Sequence, residues 1–279
     1  PTYKVGGVRA DGFVTKYLLF IGGADAKAKA EKPAAAIFTR VQRLLRDRQL
    51  PLLDETSVEI LGSEATYGPH ATTTPPREVI LKLSVRASEK KPVDLFIREV
   101  AAAATGMAPG ITNGGQGLPR ASQRLVFESL YTNKNNNSLT VQMDGETWAL
   151  TTLARGEAAI GTDTSVSPPP PPPAFNDPVL VPLRRLAFGR SGDKGDNANI
   201  GIIARDEELY PYIDKFLSTE IVESFMKHTG AQKVHKYRIP GFCALNFLLE
   251  NALGGGGTAS PSFGRLVAAL GASSRSTCI

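Results

Sequence analysis

Six consecutive prolines, Pro168 to Pro173, set the first limit on what this chain can fold into. Each proline fixes φ near −65° and lacks a backbone N–H, so the run enters neither a helix interior nor a central strand. It is read as polyproline II, a stiff spacer rising about 3.1 Å per residue, on the order of 19 Å for the whole run. A docking peptide for an SH3-type partner is the alternative; the absence of a flanking Arg or Lys favours the spacer. The proline-rich linker is placed at 156–177, with one domain at 1–155 and a second at 178–279. A chain of 279 residues suffices for two modest cores.

Before the linker, apolar periodicity organises the reading. Phe13 to Ile21 is an apolar strand closed by Gly22-Gly23, and Asp25 to Arg48 is a helix, broken or restarted at Pro33, with Ile37, Val41, Leu44 and Leu45 on one face. Strand, Gly-Gly and helix is also the grammar of a phosphate-binding turn, but two glycines alone are weak evidence, and Asp25 is read as the helix N-cap. Strands are expected at Ser57–Leu61 and Glu78–Val85, the second alternating in polarity. His70 falls in the Gly/Pro/Thr loop between them and is read as a loop residue. A helix follows at Val93–Ala104, with Leu95, Phe96 and Val100 inward, then a Gly-rich loop over Gly106–Gly117. Ser122–Tyr131 and Leu139–Met143 are expected to pair as strands through a turn at Lys134–Asn137. The result is an α/β or α+β layer.

After the linker, the densest chemistry in the chain is Gly189-Arg190-Ser191-Gly192-Asp193-Lys194-Gly195-Asp196-Asn197-Ala198-Asn199. It is read as a loop between strands at Leu180–Phe188 and Asn199–Ala204. Two readings stand side by side. Such a Gly/Asp/Asn/Ser cluster is the composition of a plain turn. The same glycines can open backbone N–H groups into an anion-binding nest, with Arg190 and Lys194 adding positive charge and Asp193 and Asp196 pairing with them or offering hard oxygen ligands. Neither the EF-hand nor the P-loop pattern fits. Helices are expected at Tyr210–Phe216 and Thr219–Lys227 and strands at Lys233–Ile239 and Ala244–Glu250. A four-glycine turn, Gly254–Gly257, then leads to a helix at Phe263–Leu270. That turn suits an anion; equally, Ser260 is a good N-cap with Pro261 at the first helical position. Asn246 interrupts an apolar strand, so its amide must find a partner and is expected to fix backbone beside one of these loops. Cys243 is read as a small core hydrophobe rather than a nucleophile, and His235 as part of a solvated face.

These residues carry a resemblance. Gly-Arg-Ser-Gly-Asp-Lys-Gly-Asp at 189–196, then Asn199-Ile200-Gly201, Ile239-Pro240-Gly241, Ala244-Leu245-Asn246-Phe247 and the Gly254–Gly257 run are similar to the C-terminal domain of the acyclic terpene utilisation (AtuA-like) family. Upstream, Lys4-Val5, Asp11-Gly12-Phe13, Gly22-Gly23-Ala24-Asp25 and Arg98-Glu99 agree. Phe263-Gly264-Arg265 departs from the family, which carries more polar residues there. The resemblance covers nearly the whole chain outside the proline tract. It implies an α/β domain followed by a ferredoxin-like α+β sandwich. It also implies a preceding α/β portion, so that this chain, which starts at Pro1, is expected to be a C-terminal fragment.

Composition narrows the function. A net charge of +5 permits an acidic ligand such as a CoA phosphate or a carboxylate. The Lys and Arg residues are scattered and the aromatics lack the spacing of an RNA-binding sheet, so no nucleic-acid partner is expected. No apolar run approaches the roughly 20 residues of a membrane span. Cys243 and Cys278 form no framework, which fits a reducing, cytoplasmic compartment. With three histidines, a His-rich zinc site is not expected, and no metal or cofactor is assigned.

The family's setting then implies an enzyme of acyclic terpenoid or branched-chain acyl-CoA catabolism, a lyase- or hydratase-like step on an anionic substrate. Asp193, Lys194 and Asp196 are the catalytic candidates, a carboxylate as general base and the cation as charge stabiliser. Arg190, Ser191, Asn197, Asn199, Asn246, Gly255, Gly256, Thr258 and Ser260 are the substrate-binding candidates. The alternative is a non-catalytic oligomerisation or partner-docking portion of a larger protein; a homo-oligomer is expected on either reading.

Overall fold

The fold is taken from a computed structural model, which describes residues 2–71, 75–114, 117–134, 138–150, 166–174, 179–256 and 260. The first unit is built on one very long strand, β1 (Thr2–Gly22), 21 residues and about 70 Å of extended chain. Its second half pairs antiparallel with β3 (Glu78–Ala87), which pairs with β2 (Glu55–Leu61). The short β4 (Ile111–Asn113) and β5 (Ser122–Asn133) take the other edge of β1. Helices α1 (Ala26–Asp47), α2 (Lys90–Ala101) and the single turn α3 (Ala103–Gly106) cover one face. Tyr17, Leu19, Ile21, Leu81, Leu83 and Phe96 close the core between them.

Several expectations are corrected here. The first strand starts at Thr2 rather than Phe13, because pairing with β5 from Thr2↔Asn133 onward supplies what Gly6, Gly7 and Gly12 withhold in strand propensity. A bulge between Ala10 and Phe13 contains Gly12 at φ +77°; a Cβ there would stand 2.5 Å from the Ala87 carbonyl oxygen. The Asp11 carboxylate is bound by Arg9, Arg86 and Arg124. Helix α1 runs through Pro33 without a break. The buried row Ala30, Pro33, Ala34, Ile37, Val41 and Leu45 outweighs the roughly 3 kcal/mol that an interior proline costs. Asp25 precedes the helix in the left-handed region and makes no side-chain cap. The Gly22 and Gly23 N–H groups donate to the carbonyls of Gly110 and Arg77, which leaves neither for a phosphate.

Ser122–Tyr131 does not pair with Leu139–Met143. Strand β5 belongs to β1, and β6 (Leu139–Met143) pairs with β7 (Glu146–Leu150) through Asp144-Gly145. Both turn residues have positive φ, the type I′ geometry that Asp-Gly favours. The middle of the expected turn, 135–137, lies outside the described residues. Within 166–174 the prolines enter no helix or strand. Pro169 and Pro172 are half-buried between exposed neighbours, the threefold repeat of polyproline II.

The second unit is a four-stranded antiparallel sheet in the order β10-β11-β9-β8, backed on one face by helices. Its elements are the single turn α4 (Leu183–Leu186), β8 (Ala187–Lys194), β9 (Asn197–Ala204), α5 (Tyr210–Phe216), α6 (Thr219–Met226), β10 (Lys233–Ile239) and β11 (Ala244–Glu250). Ile200, Ile202, Ile213, Met226, Phe247 and Leu249 form its own core. The expected strand at Leu180–Phe188 is instead the α4 turn and the start of β8. The expected helix at Phe263–Leu270 lies outside the described residues. The two units touch where the 3₁₀ turn Ala65–His70 meets the end of α6: His70 stacks on Phe225 at 4.2 Å between ring centroids.

Candidate functional site

The charged stretch is a strand, not a loop. Its residues 189–194 lie within β8, the outer strand of the sheet, where one edge needs no partner and polar side chains are tolerated. The connection to β9 is only Gly195-Asp196, with Gly195 at φ +68° in the first turn position, as a two-residue hairpin favours.

Because side chains alternate along a strand, the register sorts the candidates between the two faces. Ala198, Ile200 and Ile202 point to the helix-covered core, so Asn197, Asn199, Gly201 and Ile203 take the open face. Arg190 lies opposite Gly201, which lies opposite Asn246, which lies opposite Tyr237. The next row reads Gly192, Asn199, Leu248, His235. Lys194 stands opposite Asn197. Arg190, Gly192, Lys194 and Asn199, together with Ile239 and Phe242, line an open hollow of about 380 Å³.

Inside the hollow the polar groups are only half satisfied. Asn199 Nδ2 donates to Asn246 Oδ1 at 3.2 Å, which gives the half-buried amide of Asn246 the partner it needs. Asn199 Oδ1 is buried without any partner. Lys194 Nζ donates to the Asp193 carbonyl at 2.9 Å, and Arg190 makes no side-chain hydrogen bond or ion pair among the described residues. Gly192 keeps this space open: a Cβ would stand 3.2 Å from Asn199 Oδ1 and 3.6 Å from Lys194 Nζ. A strand floor with two glycines, two cations and an orphaned acceptor can take an anion that also carries a hydrogen-bond donor.

The catalytic trio drawn from the sequence separates. Lys194 lines the hollow; Asp193 lies opposite Ala198, in register with the covered side, and Asp196 sits in the turn. Asp196 Oδ1 instead accepts from the Gly255 N–H at 2.6 Å, and its carbonyl accepts from Leu253 N–H at 3.0 Å. Asn197 Oδ1 accepts from Asn251 N–H at 3.0 Å. So the two glycine-rich turns do adjoin, and Asp196 and Asn197 fasten one to the other. Gly254, Gly255 and Gly256 all take positive φ, and a Cβ on Gly256 would lie 2.9 Å from the Gly195 carbonyl oxygen. Ser260 is buried and its N–H donates to the Gly256 carbonyl at 2.9 Å; Thr258 lies outside the described residues. Ser191 stands opposite Ile200, its hydroxyl buried and without a partner.

Tyr237, Ile239 and Phe242 join this face and were not among the candidates. The pairing of β10 with β11 brings in Tyr237 and Ile239, and the turn joining the two strands brings in Phe242, so alternation along one strand cannot find them. His235, on the open face, places Nε2 2.6 Å from the Glu250 carboxylate. Cys243 is half-buried against the core. On the covered side, burial raises the Tyr210 pKa, with Asp214 adding to it. Among the described residues no group of three or more His, Cys, Asp or Glu is placed to hold a metal ion.

Two family models match separate stretches of the chain. The family described as "Acyclic terpene utilisation family protein AtuA" matches residues 1–143, and the "AtuA ferredoxin-like domain" matches residues 181–272. Neither a curated protein nor a solved structure matches the chain. No described helix is long and apolar enough to cross a membrane. The family's description points to a role in terpene catabolism. On the strength of these two matches, the chain belongs to the acyclic terpene utilisation family, and its second unit is that family's ferredoxin-like domain.

Proposed function

We propose that the open face of the ferredoxin-like sheet binds the anionic end of an acyl-CoA or carboxylate substrate, for a lyase- or hydratase-like step in acyclic terpenoid or branched-chain acyl breakdown. The observation that carries this reading is the incomplete satisfaction of the hollow: among the described residues the guanidinium of Arg190 has no carboxylate partner and the buried Asn199 Oδ1 no donor. An anion with an adjacent N–H or O–H completes both. Arg190 and Lys194 supply the charge, Asn199 and Asn246 the orientation, and Asp196 holds the neighbouring turn in place. The general-base role given to Asp193 or Asp196 has no support from their placement, since neither lines the hollow. A cytoplasmic setting belongs to this reading, supported by the free thiol of Cys243. Titration calorimetry with CoA, an acyl-CoA and inorganic phosphate tests it. The Arg190→Gln/Lys194→Gln variant is expected to lose tenfold or more in affinity for the acyl-CoA; unchanged binding overturns the assignment.

One observation favours a second reading, an oligomerisation role. In the β6–β7 hairpin Leu139 faces Leu150 and Val141 faces Trp148, and all four are exposed on one side of a hairpin that pairs with no other described strand. An isolated two-stranded hairpin is marginal in water, so a covering surface is expected. Sedimentation velocity of Val141→Lys/Trp148→Lys against the parent chain decides this: a shift to a smaller species supports the homo-oligomer, and an unchanged profile removes it.

A further inference from the structure

A second cavity lies on the other unit, where β1 and β5 leave the helix-backed sheet as a two-stranded ribbon. It is an open groove of about 700 Å³, within the range of roughly 300–1,000 Å³ that small-molecule sites occupy. Its walls divide by chemistry. Val8 stands opposite Phe127, and Leu125 lies two residues from Phe127 on the same strand face. All three line the groove, and they are 67%, 53% and 49% exposed for Val8, Phe127 and Leu125. Lys16, Arg120 and Ser122 also line it, and among the described residues no carboxylate does.

The two cations are not committed elsewhere. Arg124, which also borders the groove, is bound to Asp11. Lys16 and Arg120 make no ion pair or side-chain hydrogen bond among the described residues, and Glu59, the carboxylate that most influences Lys16, is bonded to Lys82. Burial, and then the Lys82 ammonium, hold the Lys16 pKa below the usual lysine range. Lys16 thus sits near a second cation, and the geometry leaves room at its ammonium for an incoming anion. Beside it, three large apolar side chains face water together rather than singly.

We propose that this groove is a binding site for a small amphiphilic anion, its carboxylate held between Lys16 and Arg120 and its hydrocarbon chain laid along Val8, Leu125 and Phe127. The site is separate from the hollow on the ferredoxin-like sheet and does not depend on the function assigned there.

Equilibrium dialysis of radiolabelled dodecanoate, below its micelle concentration, tests the proposal. Saturable binding of one molecule per chain is expected. The Lys16→Gln/Arg120→Gln variant, which alters two side chains lining the groove, should weaken it tenfold or more. Dodecanol should bind at least tenfold more weakly for want of charge. Octanoate should too, since each methylene in full apolar contact contributes roughly fourfold. Phe127→Ser should lower affinity for dodecanoate more than for octanoate. The Arg190→Gln/Lys194→Gln variant should bind dodecanoate as the parent does. No saturable binding, or binding that survives Lys16→Gln/Arg120→Gln, overturns the proposal. Loss only in Arg190→Gln/Lys194→Gln moves the ligand to the other site and leaves that site's assignment standing. Attachment to anionic phospholipid vesicles without binding of monomeric dodecanoate also overturns it, in favour of a membrane surface.

Discussion

Thr66 and His228 stand 162 positions apart in the chain, yet His228 Nε2 lies 3.2 Å from the Thr66 carbonyl oxygen. The other ring nitrogen, Nδ1, lies 3.1 Å from the Phe225 carbonyl, and His70 Nε2 reaches that same oxygen at 3.1 Å. Two imidazoles thus join the turn at 65–70 of the first unit to the end of α6 in the second. Gly68 makes the approach feasible: it adopts φ +54°, ψ −124°, and a Cβ there would stand 2.8 Å from the His228 ring.

Cutting this contact is expected to uncouple the units, since each has its own core. His228→Ala and Gly68→Ala should each split thermal unfolding into two calorimetric transitions and quicken proteolysis next to the proline tract. A single unchanged transition in both variants means that the contact carries no coupling.

Asp214 gives an acid-limb prediction. Burial alone would raise its pKa, but hydrogen bonds and charge from Arg238 and Lys236 outweigh that and hold it below the ordinary carboxylate value. A depressed folded pKa contributes stability that is present above the unfolded value, near 3.9, and is lost as pH falls through the folded one. Asp214→Asn should therefore cost about 3 kcal/mol at pH 7, because it leaves two cations at a largely buried site. It should also flatten the decline of stability below about pH 4. Urea unfolding from pH 2 to 7 reads both effects.

The turn-to-turn fastening is testable by substitution. Asp196→Ala removes the acceptor of the Gly255 N–H and should cost about 1.5–3 kcal/mol, with Asp196→Asn recovering part of it. Gly256→Ala, at φ +95° and against the Gly195 backbone, should cost about 1–3 kcal/mol. Chemical denaturation measures both.

Gly192→Ala separates binding from folding. Its φ is not left-handed, and the added Cβ meets side-chain atoms only, so the melting temperature should move by a few degrees at most. Affinity for the acyl-CoA should still fall severalfold, because the methyl group sits between Asn199 Oδ1 and Lys194 Nζ. Calorimetry beside a thermal melt separates the two effects.

Much of this fold was readable in the residues. Periodicity located α1, α2, β3 and the strands from β9 onward, because apolar side chains there repeat at the spacing of a buried face. The first half of β1 was hidden, since Gly6, Gly7 and Arg9 belong to a ribbon stabilised by a partner more than 100 positions away. Strand β8 was hidden for a related reason: an outer strand carries polar residues and glycines that otherwise spell a turn. Asp144-Gly145, which takes positive φ at both residues, is a stronger hairpin signal than the asparagines before it. At the site, residue types named Arg190, Lys194, Asn199 and Asn246, but only register puts Asp193 on the other side of the sheet from Lys194.

The length of β1 has a mechanical consequence. One backbone serves both the helix-backed sheet and the bare ribbon, with the bulge at Asp11-Gly12 as its joint. Amide protection should decay along it from Leu19 toward Thr2, with a step at the joint where three arginines converge on Asp11. A molecule that stiffens the ribbon therefore loads the same spring that runs through the middle of the folded sheet.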